Sequence, residues 1–189
     1  QGHLRLRDRV ATYLPEFAGR GKETVTIAHL LTHTSGLPPD LPLEVVFEGA
    51  DTAIARTADQ SLMALPGEQV IYSDLNFMLL AELVKRVSGE RLDVFARTRV
   101  FEPLGMVDTQ FNPPVSVASR IAPTEACAPL AWPCGGVGAI MLRGQVHDPT
   151  ARRMGGVAGH AGLFGTAGDL ARFCSMLLGD GAFDGIRVL

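Results

Sequence analysis

The stretch "VIYSDLNFMLLAELVKRVSG", Val70 to Gly89, constrains the fold more than any other part of this chain. Leu75, Leu79, Leu80, Leu83, Val84 and Val87 recur at helical spacing and predict a broad buried face, with Glu82, Lys85 and Arg86 on the wet side. Gly89 follows the last apolar position, where a left-handed residue closes a helix. Val70, Ile71 and Tyr72 read as a short extended lead-in, and Ser73 and Asp74 stand where either side chain can satisfy an orphan amide of the first turn. A helix so apolar on so wide a face has to be surrounded, and the rest of the chain must supply the surrounding layer.

Most of that layer also reads as helix, punctuated by Pro and Gly. "TVTIAHLLTHTSGLPP" has Ile27, Leu30 and Leu31 at helical spacing, and Gly36, Pro38 and Pro39 stop it. Asp51 is placed to cap a helix through Leu65. A further helix is predicted from Leu92 to Phe101, stopped by Pro103. Thr166 with Asp169 predicts a capping box for a last helix through Leu178, with Leu170, Phe173, Leu177 and Leu178 facing in. From Asn112 to His160 the chain is rich in Pro and Gly and reads mostly as loop. At 189 residues and 47% hydrophobic, one domain can bury a normal core.

Charge and motifs exclude several functions. A net charge of -3 with both signs interspersed lacks the basic stripe that a nucleic acid or an anionic membrane requires. No window is apolar for long enough to span a bilayer. The glycines of "GGVAGHAG" follow neither the dinucleotide nor the P-loop spacing. Ser35 in "HTSGL" lacks the Gly two residues earlier that a nucleophile elbow needs, and capping a helix end explains it. His29 and His33 are four apart without the Glu of a His-Glu-x-x-His site, so packing is the better reading of both. His147, Asp148 and His160 lack the dense spacing of a zinc site. No metal or organic cofactor is expected.

Taken alone, Tyr72-Ser73-Asp74 is a helix start. In order along the chain, however, "LRLRDRVATYLPEF", "TIAHLLTHTSGL", "PGEQVIYSDLNFMLLAELVKRVSG", "VFEPLGMVDTQF" and "GGVAGHAGLFGTAGDLARFCSMLL" resemble, block by block, the serine β-lactamase-related family. That family holds class C β-lactamases, D,D-peptidases and serine esterases. The resemblance covers nearly the whole chain, apart from the loop around Cys127 to Ala139. It implies a mainly α fragment of the α/β penicillin-recognising serine hydrolase (β-lactamase/transpeptidase-like) fold: a helical domain plus an incomplete part of the α/β domain.

Three motifs meet in that family's cleft: Ser-x-x-Lys, Tyr-x-Asn and a Gly-rich strand with Lys or His. Only the second has a counterpart here, at Tyr72 and Asp74, because the two lysines, Lys22 and Lys85, follow Gly19 and Glu82 at the required spacing. Residues 1–189 are therefore expected to be a single partial domain, cut at both ends, lacking the upstream Ser-x-x-Lys segment and the downstream closing strands. The resemblance makes Tyr72 a proton relay for a serine outside this chain. A free phenol has a pKa near 10, and making phenolate dominant near pH 7 takes roughly 4 kcal/mol, which the motif lysines would provide. Asp74 departs from the commoner Asn: ionised Asp accepts hydrogen bonds but cannot donate one to a substrate carbonyl. Strong β-lactam turnover is thereby disfavoured relative to peptidase or esterase activity. His160 either lines the cleft as a substrate-binding residue or fixes the Gly-rich turn. Tyr13 is expected to pack through its ring.

Cys174 falls on the apolar side of the last helix and reads as a small core residue. Cys127 and Cys134 are close enough in sequence to bridge in an oxidising compartment, such as the bacterial envelope to which family members are exported, and free thiols remain an open alternative. Trp132 between them either anchors the loop or touches substrate. The expected partner is a small-molecule or peptidoglycan-like substrate. A non-catalytic module binding peptidoglycan or a protein on the same scaffold is the rival reading. A structural helical domain unrelated to the family is a third, and it predicts that Tyr72 is buried.

Overall fold

A computed structural model describes residues 2–127 and 134–189, so Trp132 lies outside the described residues. The predicted central helix forms as α4, Asp74–Ser88, closed by Gly89 at a left-handed φ of 75°. Its buried side carries Leu75, Met78, Leu79 and Leu83. Around it stand the short helices α1 (Val10–Tyr13), α2 (Ile27–Leu31) and α3 (Ala50–Ala58). Val10, Leu14, Phe17, Leu30, Ala53 and Ile54 from this layer meet α4 in the main core. α5 (Leu92–Ala96) continues through one π-helical turn, Arg97–Phe101, as a single rod that ends just before Pro103.

The second half is looser. Strands β1 (Gln110–Phe111) and β4 (Leu163–Phe164) pair antiparallel, with Gln110 opposite Phe164. β2 (Ala126–Cys127) pairs with β3 (Ile140–Met141), and β5 (Ala182–Phe183) with β6 (Ile186–Arg187). Helix α6 (Pro149–Arg153) buries Ala151 in the main core, and α7 (Ala167–Leu178) packs against β5. A second, smaller core joins Phe101, Leu104 and Met106 to Met176 of α7. Among the described residues no helix is long and apolar enough to cross a membrane. Cys127 and Cys134 are joined as a disulfide.

Several expectations need correction. α2 ends at Leu31, and His33 rather than Gly36 is the left-handed residue directly after it, with φ 56°. His29 and His33 therefore do not share a helix; His29 instead completes a capping box with Thr26. α3 stops at Ala58, and Asp51 lies in its first turn while Gly49 takes the cap position. At the start of α4 neither Ser73 nor Asp74 caps: no side chain accepts an amide there, and the Ser73 hydroxyl donates to the Pro38 carbonyl at 2.6 Å. Glu82 is buried, not wet, because Arg86 and Lys85 fold over it at 2.7 and 3.4 Å.

The largest correction concerns α7. Thr166 caps it by accepting the Asp169 amide, but the Asp169 carboxylate turns away from the box to take the Asp108 amide and the Thr109 hydroxyl at 2.9 and 2.8 Å. Leu170, Leu177, Leu178 and Cys174 are exposed, and Met176 is the apolar residue of α7 that is fully buried. The helix has a recognisable apolar stripe, and the described residues bury only the edge of it. Tyr13 packs against the core and also donates its hydroxyl to Asp8 at 2.9 Å.

Candidate active site

The segment that carries Tyr72 is held in place by the turn after α2. Backbone amides of Met63, Gly67, Ile71 and Asp74 donate to the carbonyls of Gly36, Thr34, His33 and Pro39 at 2.7, 2.8, 2.8 and 2.8 Å. Two irregular stretches thus satisfy each other's backbone groups without forming a regular ladder. Gly36 makes the approach possible. Its φ is 81°, and a Cβ there would collide with the Ala64 carbonyl.

At the end of this segment Tyr72 stands 70% exposed. Its ring stacks on the His33 imidazole, with centroids 4.5 Å apart and planes 29° from parallel. Phe77 supports the imidazole as well, at 5.2 Å. The Ser73 amide donates to His33 Nδ1 at 3.0 Å. Ser35 donates to Asn76 Oδ1 at 2.5 Å, which orients the Asn76 amide so that its nitrogen faces His33 Nδ1 at 3.2 Å. Since both groups at Nδ1 are donors, that nitrogen accepts and the ring proton is assigned to Nε2.

Asp74 opens α4 and looks toward a second group of titratable residues. Burial pushes its carboxyl above the ordinary carboxylate value; His160 and His33 pull it back, while Asp148 and Asp40 push it further up. Burial raises Asp40 too, against the Leu41 amide and the Thr150 hydroxyl that bond to it. Asp148 differs. Burial acts upward on it, but the His160 and Ala151 hydrogen bonds outweigh that and hold it below its ordinary value. Its carboxylate both caps α6, accepting the Ala151 amide at 2.6 Å, and contacts His160 Nε2 at 3.0 Å. The His160 side chain is only 2% exposed, so it ties the Gly-rich turn to α6 from beneath the surface. Ligand atoms of Asp74, Asp148 and His160 lie within 4.8 Å of one another.

The remaining candidates are committed elsewhere. Ser35 and Ser73 are buried and bonded as described, which leaves neither hydroxyl open to a substrate. Lys22 is buried and donates to the carbonyls of Ala58 and Gln60 at the end of α3. Lys85 bonds Asp51 at 3.1 Å and lies along α4 about 17 Å from Asp74. His147 and Asp148, adjacent in sequence, serve different clusters: His147 contacts Glu125 at 2.6 Å. Exposed Tyr72 and half-buried Asp74 thus stand on either side of buried Ser73 at the start of α4, with His160 near Asp74. His33, Asn76 and Asp40 belong to the same neighbourhood and were not singled out in the sequence as site residues. An asparagine on the apolar face of a helix was the one available signal, since a buried amide must find partners.

Chemically, the site offers an exposed phenol on a rigid base, beside a half-buried carboxylate raised by its surroundings. It can hold or pass a proton and attract a cation. The chain is 34% identical, over a 212-residue alignment, to an Escherichia coli K12 protein named "Putative D-alanyl-D-alanine carboxypeptidase", with 100% of this chain and 48% of that protein covered. A Salmonella agona protein of the same name is 28% identical with the same coverage. The chain spans about half the length of the curated relatives it matches. Among solved structures, a penicillin-binding protein homolog from Caulobacter crescentus superposes with a TM-score of 0.71 at 25% identity, covering 100% of this chain and 52% of that one. EstCE1, "a hydrolase with promiscuous acyltransferase activity", gives 0.69 at 23% identity and shares the fold. The family profile described as Beta-lactamase matches residues 1–185. From the start of the chain to the last strand pair, then, this protein belongs to the Beta-lactamase family of serine hydrolases.

Proposed function

We propose that residues 1–189 are one partial domain of a serine hydrolase that acts on an amide or ester carbonyl, of D,D-peptidase, esterase or β-lactamase type, through an acyl-enzyme. In this reading a serine and a lysine from another part of the polypeptide complete the cleft at Tyr72 and Asp74. The phenol relays the proton of the serine, and the Asp74 carboxylate pairs with the lysine. Without those groups the 189 residues have no hydrolytic activity of their own. The observation that carries the reading is the exposed Tyr72 phenol, 70% open to solvent at the start of α4 on a fixed aromatic base.

The name carried by the Escherichia coli and Salmonella relatives, D-alanyl-D-alanine carboxypeptidase, supports a peptide substrate, and Asp74 in place of a donor-bearing Asn disfavours β-lactams. The Cys127–Cys134 disulfide supports an oxidising compartment, in keeping with the bacterial envelope. The test is Tyr72→Phe in the full-length protein, assayed with a p-nitrophenyl ester and a D-Ala-D-Ala peptide. Loss of a general base should lower kcat at least 10²-fold with the melting temperature preserved. Unchanged kcat, or a loss of melting temperature without a specific kinetic defect, refutes the role.

A further inference from the structure

We infer that His33 is a positioning residue for Tyr72, aiming the phenol by holding three consecutive residues at once. The inference rests on the reading of Tyr72 given above. The His33 carbonyl accepts the Ile71 amide at 2.8 Å, its ring stacks on Tyr72 at 4.5 Å, and its Nδ1 accepts the Ser73 amide at 3.0 Å. The imidazole is locked in turn. Asn76 reaches the same nitrogen at 3.2 Å, Ser35 orients Asn76, and Phe77 closes on the ring at 5.2 Å. Rotating it would break the hydrogen bonds at Nδ1 and the contacts with both rings.

The backbone argues the same way. His33 occupies the left-handed region at φ 56°, a strained conformation that persists only where the surroundings impose it. A turn by itself would be served by glycine or asparagine. Neither provides a ring, and the ring is what meets Tyr72. Because the tyrosine is 70% exposed, it has few other contacts to limit its rotamers. A proton relay must stay within hydrogen-bond reach of its partner, and a misplacement of about 1 Å costs about 10²-fold in rate.

The experiment is a double-mutant cycle in the full-length enzyme with a p-nitrophenyl ester as substrate. His33→Asn tolerates the left-handed backbone and leaves an amide oxygen for Ser73, but removes the ring. It is expected to lower kcat about 10- to 100-fold with KM changed less than about threefold. In the Tyr72→Phe background the same substitution should change kcat less than about threefold, because the group it positions is already silent. Equal losses in both backgrounds would mean that His33 only maintains the fold, and overturn the inference. So would an unaffected kcat in His33→Asn when Tyr72→Phe alone is strongly impaired. If Tyr72→Phe is itself fully active, the reading of Tyr72 fails and this inference falls with it. Should His33→Asn not fold, Phe77→Leu replaces it: removal of the ring's second support should lower kcat about 3- to 10-fold with Tyr72 present and leave it unchanged with Phe at that position, and equal effects would again overturn the inference.

Discussion

Replacing Gly36 with alanine tests how the Tyr72 segment is held. The substitution has two costs that can be separated. The first is conformational: Gly36 has φ 81°, and an L-residue in that region costs about 1 kcal/mol. The second is steric, because the new methyl group would run into the Ala64 carbonyl, and backbone cannot yield as a flexible side chain does. Relieving the overlap forces the two stretches apart and weakens the Met63–Gly36 and Gly67–Thr34 hydrogen bonds, 2.7 and 2.8 Å long, each contributing about 1 kcal/mol. The total is about 3 kcal/mol. Gly89→Ala is the control, since Gly89 has φ 75° and no atom within 4 Å of the added Cβ. It should lose only the conformational part, about 1 kcal/mol. Urea unfolding followed by circular dichroism measures both variants. A Gly36→Ala loss no larger than that of Gly89→Ala would refute the close approach on which the placement of Tyr72 depends.

Other outcomes follow from the same geometry. Asp169→Ala should destabilise the protein by about 3 kcal/mol in urea titrations, because the buried carboxylate accepts both the Asp108 amide and the Thr109 hydroxyl. Reducing the Cys127–Cys134 bridge, which closes a short loop with a separation of 7, should cost about 2.5 kcal/mol, read as a shift of the urea midpoint on adding a phosphine reductant. The neighbouring carboxylates Asp74 and Asp148 should respond to pH with opposite signs. Asp74 is raised on folding, so its contribution to stability is present at acid pH and lost as pH rises through the folded value; Asp74→Asn should therefore stabilise at pH 7 and lose that advantage in acid. Asp148 is lowered, so its contribution is present above the ordinary carboxylate value and lost as pH falls through the folded one; Asp148→Asn should destabilise at pH 7, with the deficit shrinking in acid.

The legible parts of this molecule are those governed by local physics. α4 was readable from Leu75 to Gly89 because one helix carries its own period and its own stop. The rod from Leu92 to Phe101 was readable for the same reason, although not its π-helical turn. Failures came where a distant partner decided the outcome. Glu82 reads as solvent-facing by charge, but Arg86 and Lys85 neutralise it, and burial of a paired carboxylate is tolerated. The Asp169 carboxylate prefers an amide and a hydroxyl far away in sequence to the local box. The apolar stripe of α7 was recognised, but periodicity cannot say whether a partner is present to cover Leu170, Leu177 and Leu178. At the site, Tyr72 and Asp74 came from the motif resemblance. His33 was read only as a packing residue, because its contacts with Ser73 and Asn76, about forty positions away, are encoded by no local pattern.

The most direct test is to locate the acyl-enzyme. Full-length protein treated with a fluorophosphonate probe or labelled penicillin, digested and analysed by mass spectrometry, should carry one adduct on a serine of a Ser-x-x-Lys sequence outside these 189 residues, and the 189-residue chain alone should remain unlabelled. A stoichiometric adduct on Ser35, Ser73 or any other serine within this sequence would contradict the account.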